Sequence, residues 1–445
     1  MTSHNPHGHA LASHTLPGHD HHAAERARSV ADHAAAVVEL LRPLREMDRI
    51  ETLPLSQALG RALVQDVAAP LSLPPFANSQ MDGYAVRSGD LSDGGTHLRI
   101  MPPVPAGSSP QPLEPGAAAP IMTGAMIPAG ADAVVPIEKA VPDHFLDPAK
   151  TTANTPASTA GNGNGATVRL PGTAAGTFVR SVGSDIAAGE RALAAGTCLG
   201  PAQLGLLAAL GLAEVTVFKA VTVLLVTTGD EVVEPGQPLP PGKIYDSNGT
   251  LLEAAMKQAG LLVRRAGIST DNPAELRALL RTEGQGADLV VTTGGVSKGA
   301  YEVVRQAMAD QPVDFLHVAM QPGGPQGLGT FDGVPFLGFP GNPVSCLVSF
   351  EMFLRPALTE LLGAPARRLP LRARLSLGEP GGQLTSPGHK HQVRRGSLQP
   401  DGTVRLEGGE SSHLMHALAG SNVLVHIPAG VTELADGNEV EVWML

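Results

Sequence analysis

The sequence predicts a multidomain protein that combines an α/β domain with all-β domains. Its 445 residues are more than one hydrophobic core usually contains, so several domains are expected. From Ala220 to Gly363, short β-branched apolar runs alternate with helix-like runs, which predicts a parallel sheet covered by helices on both faces. Before and after this region, brief apolar runs are broken by proline and glycine, which predicts small β-domains.

The N-terminal segment, residues 1–24, is rich in histidine and has no hydrophobic periodicity, so we predict a disordered tail. Metal capture by neutral imidazoles is the alternative interpretation of these histidines. From Glu25 to about Gly60, apolar residues recur at three- and four-residue spacing, which predicts helical structure that Pro43 ends or bends. Residues 64–69 then predict a short strand.

The remaining segments give the predicted domain limits. Residues 69–176 form a small β-domain with a flexible low-complexity insertion over about 151–176. The α/β domain spans residues 220–364. Five brief strands separated by proline and glycine turns predict a small C-terminal β-barrel or sandwich over residues 365–445.

Charge and cysteine content exclude several classes of protein. The formal net charge of −11 argues against a nucleic-acid partner, because phosphate binding needs clustered lysine and arginine. Cys198 and Cys346 are too few for a disulfide framework or a structural zinc site, which fits a reducing compartment. No apolar run approaches a membrane span and no secretory signal is recognisable, so we expect a cytoplasmic protein that does not bind membranes.

Glycine-rich turns follow the predicted strands of the α/β domain, where a parallel sheet binds its ligands. The turn and helix-start residues are Gly229, Asp230, Ser247, Asn248, Gly294, Gly295, Ser297, Pro340, Gly341, Asn342 and Pro343. Glycine lets the backbone approach a ligand, and the free N–H groups of a helix start favour an anion. Neither a G-x-G-x-x-G nor a G-x-x-x-x-G-K-[ST] motif occurs in this domain, which argues against a dinucleotide fold and a P-loop.

Seven motifs occur together and in order: NSQMDGYAVR, IMTGAMIPAGADAVV, VTTGDEVVEPG, IYDSNG, TTGGVSKG, GFPGNPVS and ESSHLMHALAGSNVLVHIP. The set resembles the molybdopterin molybdotransferases, the molybdenum insertases of molybdenum cofactor biosynthesis, and the matching part of gephyrin. The resemblance runs from about Glu25 to the C-terminus. It implies a small β-domain, a three-layer α/β/α molybdopterin-binding domain, a C-terminal β-barrel and an elongated N-terminal domain that combines residues 25–68 with residues 177–219.

The resemblance also implies a reaction and partners. Such enzymes insert molybdenum from molybdate into adenylylated molybdopterin and release AMP, with Mg²⁺ in support. They are homodimers whose active sites are shared between subunits, and other proteins of molybdenum cofactor biosynthesis are expected partners.

Site residues carry over position by position. The resemblance implies catalytic roles for four acidic residues, Asp82, Asp185, Glu231 and Asp271. Thr123, Arg395 and Ser412 are expected to bind the substrate together with the residues of the glycine-rich turns. Asp271 and Glu302 are expected to bind Mg²⁺. Because carboxylates repel a diphosphate and an oxyanion, a magnesium ion is expected to screen them. The alternative for Asp82 is a turn cap with Gly83, and for Glu231 and Asp271 helix capping or first-turn charge.

The sequence departs from the family pattern around one turn. His317, Gln321 and Gly324 occupy positions where lysines usually flank the KPGKP turn, and Arg394 or Arg395 is the expected compensation. Two other functions stay open at this point. One is molybdopterin adenylyltransferase, which shares the α/β domain, and the other is a gephyrin-like scaffold.

Overall fold

The computed structural model describes residues 27–45, 49–146, 166–267, 271–297, 302–365, 367–379 and 381–445. These residues form two compact units. The first contains the described residues up to Arg42, Val221–Ala357 and Arg368–Leu445, and the second contains Pro43–Ala220 and Leu358–Arg367. The predicted tail and most of the predicted insertion lie outside the described residues.

A six-stranded sheet is the centre of the α/β part of the first unit. In spatial order its strands are Leu262–Arg265, Thr222–Thr227, Leu289–Thr293, Val334–Phe339, Pro325–Phe331 and Val313–His317. The first four run parallel, which confirms the parallel sheet. The last two are antiparallel extensions, and the strand Pro325–Phe331 was not predicted. Buried Val, Leu and Phe side chains fill the sheet interior, as expected for strands covered by helices.

Helices follow the predicted positions between these strands. They are Ser247–Gln258, Pro273–Glu283, Val303–Ala307, Pro343–Ser349 and Arg355–Leu362, with a π-helical turn at Phe350–Leu354. A further pair of short parallel strands, Val232–Val233 and Ile244–Tyr245, precedes the first of these helices.

The helix Val30–Leu41 begins at Ser29, whose hydroxyl accepts a hydrogen bond from the Asp32 N–H at 3.0 Å. It belongs to the first unit, and its His33 ring meets the Phe353 ring edge-on at 4.5 Å. The predicted domain limits stay predictions.

The C-terminal region is a closed β-barrel, as predicted. Its strands are Pro370–Ser376, His391–Leu398, Thr403–Leu406, Val423–Ile427 and Glu439–Met444, and each pairs with two others. Gln383–Thr385 pairs with Glu433–Ala435, and the helix Met415–Ala419 precedes the fourth barrel strand. The short strand Met320–Gln321 pairs in parallel with the start of His391–Leu398 and so connects the barrel to the α/β part.

The second unit contains a five-stranded sheet in the order Ala133–Pro136, Gly83–Val86, Ala117–Ile121, Thr96–Ile100 and Thr167–Leu170. Smaller antiparallel pairs join Ile50–Pro54 to Glu214–Phe218, Val67–Ala68 to Arg191–Leu193, and Asn78–Ser79 to Val179–Arg180. In the chain, the helix Pro201–Ala209 comes between the strands Arg191–Leu193 and Glu214–Phe218. Two predictions are corrected here. Residues 50–54 are a strand and not helical, and the predicted flexible segment up to residue 176 contains the strand Thr167–Leu170.

Among the helices of the described ranges, none has the length and apolar character needed to cross a membrane.

Candidate functional site

A cavity of about 930 Å³ lies in the first unit, at the carboxyl ends of three neighbouring parallel strands. These strands are Thr222–Thr227, Leu289–Thr293 and Val334–Phe339. The structure brings the following predicted residues together in its lining: Gly229, Glu231, Ser247, Asn248, Asp271, Gly294, Gly295, Ser297, Glu302, Pro340, Gly341, Asn342, Pro343 and Ser412. The strand-end location predicted for the ligand is therefore where the structure has its cavity.

Glycine is required at the turn that follows the central strand. Gly294 and Gly295 have φ angles of 95° and 63°, in the left-handed region that favours glycine. A Cβ atom on Gly294 would come within 2.9 Å of the Thr228 carbonyl oxygen, and one on Gly295 within 2.9 Å of Val304 Cγ2. The turn can therefore adopt this conformation, packed against Thr228 and Val304, only because both residues lack side chains.

A buried hydrogen-bond network holds the PGNP turn against the central strand. Thr293 Oγ1 donates to the Pro340 carbonyl at 3.2 Å and accepts from Asn248 Nδ2 at 3.0 Å. Asn248 Nδ2 also donates to the Gly341 carbonyl at 2.6 Å, and Cys346 Sγ donates to the Pro340 carbonyl at 2.7 Å. Burial raises the pKa of the Cys346 thiol to about 12, so this cysteine is structural and not a nucleophile.

Asp246 lines the cavity, but its carboxylate has a structural role. Its side chain is 1% exposed and accepts hydrogen bonds from the Gly249 N–H at 2.8 Å and from Thr227 Oγ1 at 3.0 Å. It also pairs with Arg265 Nη2 at 2.7 Å. Asp246 is thus the N-cap of the helix Ser247–Gln258, and it orients the first turn of that helix at the cavity.

Three predicted acids lie in the cavity lining. The Glu231 carboxylate folds over Gly229, where an added Cβ would be 2.6 Å from Glu231 Oε2. Glu302 Oε2 accepts a hydrogen bond from the Ser297 N–H at 3.2 Å. Asp271 donates its N–H to Asp230 Oδ1 at 3.0 Å, so Asp230, which is absent from the lining, fixes the backbone of Asp271.

The helix-capping alternative is wrong for Glu231 and Asp271, because neither residue is the N-cap of a helix. Asn272, and not Asp271, caps the helix Pro273–Glu283, and it accepts a hydrogen bond from the Ala274 N–H at 2.9 Å. Glu231 lies in a turn before the strand Val232–Val233 and belongs to no helix. Among the described residues, no three His, Cys, Asp or Glu side chains form a group that could hold a metal ion.

The barrel supplies one side of the cavity through Lys390, Glu410, Ser411, Ser412, His413 and Met415. The backbone of Ser412 is tied to the PGNP helix, because its carbonyl accepts from the Val344 N–H at 3.1 Å. Lys390 was not predicted as a site residue, although it stands in the basic run HKHQVRR.

Arg395 does not line the cavity. Its side chain is 1% exposed within the barrel, and its Nη2 atom donates to the Gly409 carbonyl. The neighbouring Arg394 Nη2 donates to the Gly408 carbonyl at 3.3 Å. The two arginines therefore support the segment that leads to Ser412, and the prediction that Arg395 lies at the ligand is corrected in this respect.

Asp82, Thr123 and Asp185 lie in the second unit. Asp82 Oδ1 accepts hydrogen bonds from the Thr123 N–H at 2.7 Å and from Thr123 Oγ1 at 2.8 Å. These bonds, the backbone one first, lower the pKa of the exposed Asp82 carboxyl, so it is ionised at neutral pH. Asp185 is also exposed, and its N–H donates to the Leu73 carbonyl at 3.0 Å.

Three family models match the chain in order. The "MoeA N-terminal region (domain I and II)" matches residues 28–211, the "Probable molybdopterin binding domain" matches residues 224–360, and the "MoeA C-terminal region (domain IV)" matches residues 377–445. A protein from Mycobacterium tuberculosis, molybdopterin molybdenumtransferase 2, is 43% identical over 431 residues, which are 94% of this chain and 100% of the relative.

The chain belongs to the MoeA family. A MoeA-family relative from Nostoc, named molybdopterin molybdenumtransferase, is 34% identical and covers 94% of both chains. The crystal structure of a molybdopterin biosynthesis MoeA protein from Pyrococcus horikoshii matches with a TM-score of 0.71 at 29% identity, over 94% of this chain and 99% of that one. The cavity lies within the part of the chain that the second and third MoeA-family models match.

Proposed function

We propose that this protein is a molybdopterin molybdotransferase that inserts molybdenum from molybdate into adenylylated molybdopterin and releases AMP, in molybdenum cofactor biosynthesis. Relatives over nearly its whole length carry the name molybdopterin molybdenumtransferase, which makes it a transferase of this pathway. The observation that carries the proposal is the cavity of about 930 Å³, in which amide-rich turns face acidic and hydroxyl side chains.

The turns suit a phosphorylated substrate. Gly294 and Gly295 expose backbone at the end of the central strand, and the helix Ser247–Gln258 begins at the cavity. Backbone N–H groups and the positive end of a helix dipole favour phosphate oxygens. The Asn248 side chain contributes as well, since its Nδ2 atom donates to the Gly341 carbonyl at 2.6 Å and so positions the PGNP turn at the cavity.

The acids require a counter-charge when an anionic substrate binds, and Mg²⁺ is the proposed one. Asp271 and Glu302 are the residues that would hold it, and their carboxylate oxygens are the donors that Mg²⁺ prefers. Substrate phosphates and water would complete the coordination of such an ion, because Mg²⁺ is usually bound by one or two carboxylates together with these ligands. When bound, Mg²⁺ would screen the diphosphate and polarise it for cleavage.

Asp82 is the proposed base or positioning group for the attacking water or oxyanion. Its two hydrogen bonds from Thr123 keep the carboxylate ionised and fix its orientation. Asp185 is proposed as a further catalytic residue with an acidic side chain.

We also propose a homodimer in which the two subunits share their active sites, as the family resemblance implies. A monomeric mass in sedimentation would contradict the proposed dimer.

We propose a cytoplasmic location, because two cysteines in the sequence are too few for a disulfide framework and fit a reducing compartment. The proposed partners are the other proteins of molybdenum cofactor biosynthesis, which supply the adenylylated substrate and accept the product.

Single-turnover AMP release from adenylylated molybdopterin tests the function, with molybdate and Mg²⁺ each omitted in turn. We expect release that needs both additions. Incubation with molybdopterin, ATP and Mg²⁺ separates the adenylyltransferase alternative, since only that enzyme forms the AMP adduct. A scaffold without activity would release no AMP under any condition.

Asp82→Ala tests the catalytic assignment. We expect normal folding, because the side chain is exposed, and AMP release slowed by about 100-fold or more, as for loss of a general base. Asp143→Ala is the matched control, because that carboxylate lies in the same unit and is 81% exposed. Turnover at the wild-type rate by Asp82→Ala would remove this residue from the mechanism.

A further inference from the structure

One wall of the cavity is a short turn that leads into the sheet strand Pro325–Phe331. Residues 320–325, here called the cavity turn, all line the cavity. Gly323 and Gly324 at its centre are buried and belong to no helix or strand. Buried backbone groups need hydrogen-bond partners, and a segment without regular structure must find them in other parts of the chain. The conformation of the cavity turn therefore depends on the groups that surround it.

Gln326, the residue after the cavity turn, connects the turn to a neighbouring helix. It is 1% exposed and is absent from the described cavity lining. Its Nε2 atom donates hydrogen bonds to the Gly323 carbonyl at 2.7 Å and to Ser349 Oγ at 2.7 Å. Ser349 is buried as well, and its hydroxyl donates to the Ser345 carbonyl at 2.8 Å. One amide group therefore joins the cavity turn to the helix Pro343–Ser349.

The helix Pro343–Ser349 contributes a second wall of the same cavity. It starts at the PGNP turn, and its Ser345 lines the cavity. Gly323 packs directly against this helix, since an added Cβ would lie 3.5 Å from Ser349 Oγ and 3.6 Å from the Ser345 carbonyl oxygen. The hydrogen bonds of Gln326 therefore set the distance between two walls that line one cavity.

Other hydrogen bonds hold the cavity turn at its ends. The Val318 N–H donates to the Gly324 carbonyl at 2.7 Å, and Gln392 Nε2 donates to Gln321 Oε1 at 3.1 Å. Neither of these bonds reaches the helix that begins at the PGNP turn. Among the described residues, hydrogen bonds connect the cavity turn to this helix only through Gln326. Loss of the amide would therefore separate the two walls and leave the ends of the turn attached.

We propose that Gln326 is a positioning residue of the site. Its amide sets the spacing between the cavity turn and the helix Pro343–Ser349, and this spacing determines how tightly the nucleotide substrate binds. The proposal rests on the proposed function, which supplies the identity of that substrate. Gln326 acts only through the groups that it holds, because it does not line the cavity. Small displacements are sufficient for such an effect, since a misplacement of about 1 Å costs an active site up to about 100-fold.

Gln326→Met tests the proposal in the full-length protein, because methionine is similar in length but donates no hydrogen bond. We expect the KM for adenylylated molybdopterin to rise by about tenfold or more, as for the loss of buried hydrogen bonds. The kcat for AMP release should stay within about threefold of wild type, because a loss of binding alone raises KM. Ser349→Ala is the milder variant, since it keeps the bond to Gly323, and it should raise KM less. The double variant should equal Gln326→Met alone, because both substitutions break one link.

Gln311→Met is the matched control. The Gln311 amide also fixes a turn, since its Nε2 atom donates to Asp332 Oδ1 at 3.0 Å and its Oε1 atom accepts from the Asp332 N–H at 2.9 Å. Asp332 follows the strand Pro325–Phe331 at the end opposite the cavity turn. We expect a lower urea midpoint in both glutamine variants and a raised KM only in Gln326→Met. A merely structural role of Gln326 would change the urea midpoint alone.

Hydrogen exchange examines the cavity turn without any substrate. Backbone exchange in residues 320–325 should be faster in Gln326→Met than in the wild type and unchanged in Gln311→Met. Unchanged exchange in Gln326→Met, an unchanged KM, or an equal rise of KM in Gln311→Met overturns the inference. A wild type that releases no AMP contradicts the proposed function. In that case AMP affinity, measured by calorimetry, replaces the KM, and equal affinity of wild type and Gln326→Met overturns this inference as well.

Discussion

Gly294 shows how a single residue shapes the cavity. Its φ angle of 95° lies in a region that side chains disfavour, and the Thr228 carbonyl leaves no space for a Cβ atom. The sequence predicted this position correctly, because paired glycines after a buried strand have few structural explanations other than a tight turn or a close approach of backbone.

Gly294→Ala should therefore destabilise the protein and impair the site. We expect a loss of about 1 to 3 kcal/mol in the free energy of unfolding from backbone strain, and a further loss from the contact with Thr228. Gly236→Ala is the matched control, since Gly236 has a φ angle of 89° but no atom within 4 Å of an added Cβ. Urea denaturation of the two variants measures the difference. Equal destabilisation would show that the contact with Thr228 contributes nothing.

Other single residues could not be placed from the sequence. Arg394 and Arg395 are adjacent in a barrel strand, and the direction of each side chain depends on strand pairings with residues far away in the chain. The prediction chose Arg395 for the ligand, whereas Lys390, just before that strand, is the basic residue that lines the cavity. Asp246 was likewise identified only as a loop residue, because its three partners come together only in the folded chain.

At the scale of elements, hydrogen bonds between neighbouring segments hold the cavity rim. Thr292 and Thr293 are consecutive residues of one central strand and both are 0% exposed. Thr293 Oγ1 connects Asn248 to the Pro340 carbonyl, whereas Thr292 Oγ1 has no hydrogen-bond partner among the described residues. Successive side chains of a strand point to opposite faces of the sheet. The hydroxyl of Thr293 therefore contributes to the cavity rim, whereas the hydroxyl of Thr292 is buried on the other face.

The two threonines predict opposite results for the same substitution. Thr293→Val should lower the free energy of unfolding by about 1 to 3 kcal/mol and weaken substrate binding, because it leaves Asn248 Nδ2 with one partner fewer and loosens the PGNP turn. Thr292→Val should be neutral or stabilising, since it removes a buried hydroxyl that has no partner. Equal losses in both variants, measured by urea denaturation, would refute the assigned role of Thr293.

Elements that depend on local pattern were predicted well, and those that depend on distant pairing were not. The parallel strands and intervening helices of the α/β part follow from alternating apolar runs. The strand Ile50–Pro54 was wrongly predicted as helical. Its extended structure depends on antiparallel pairing with Glu214–Phe218, which is far away in the chain. The strand Pro325–Phe331 contains two glycines and a proline, which weaken the local signal for a strand.

At the scale of the whole molecule, each unit is assembled from separated segments of the chain. The first unit combines three segments, and the short helix Val30–Leu41 joins it although residues 43–220 belong to the other unit. An amphipathic pattern predicts that this helix buries one face, but it does not identify the partner surface. Domain membership of such a helix is therefore decided by tertiary packing, which the sequence alone does not reveal.

Two buried histidines make the stability of the first unit depend on pH. Burial, with a smaller effect of Arg28, lowers the pKa of His33 from 6.5 to about 4. Burial, with a smaller effect of His391, lowers the pKa of His426 from 6.5 to about 3. In each case the unfolded chain takes up a proton more readily than the folded one. For each histidine, the free energy of unfolding is thus at its full value above pH 6.5, and it decreases as the pH falls from 6.5 toward the pKa of the histidine in the folded state.

We expect the free energy of unfolding to decrease between pH 6.5 and pH 4 by about 1.4 kcal/mol per pH unit for each of these histidines. The carboxylates with lowered pKa values, such as Asp82 and Glu39, lose their contributions only below their ordinary pKa values of 3.8 and 4.5, so they do not account for a decrease above pH 4.5. His33→Leu should make the decrease shallower, because the buried site then has nothing to protonate. His144→Gln is the control, since the His144 side chain is 65% exposed. Urea midpoints at pH 7.5, 6 and 5 give the slope, and an identical slope in wild type and His33→Leu would show that protonation of His33 is not coupled to unfolding.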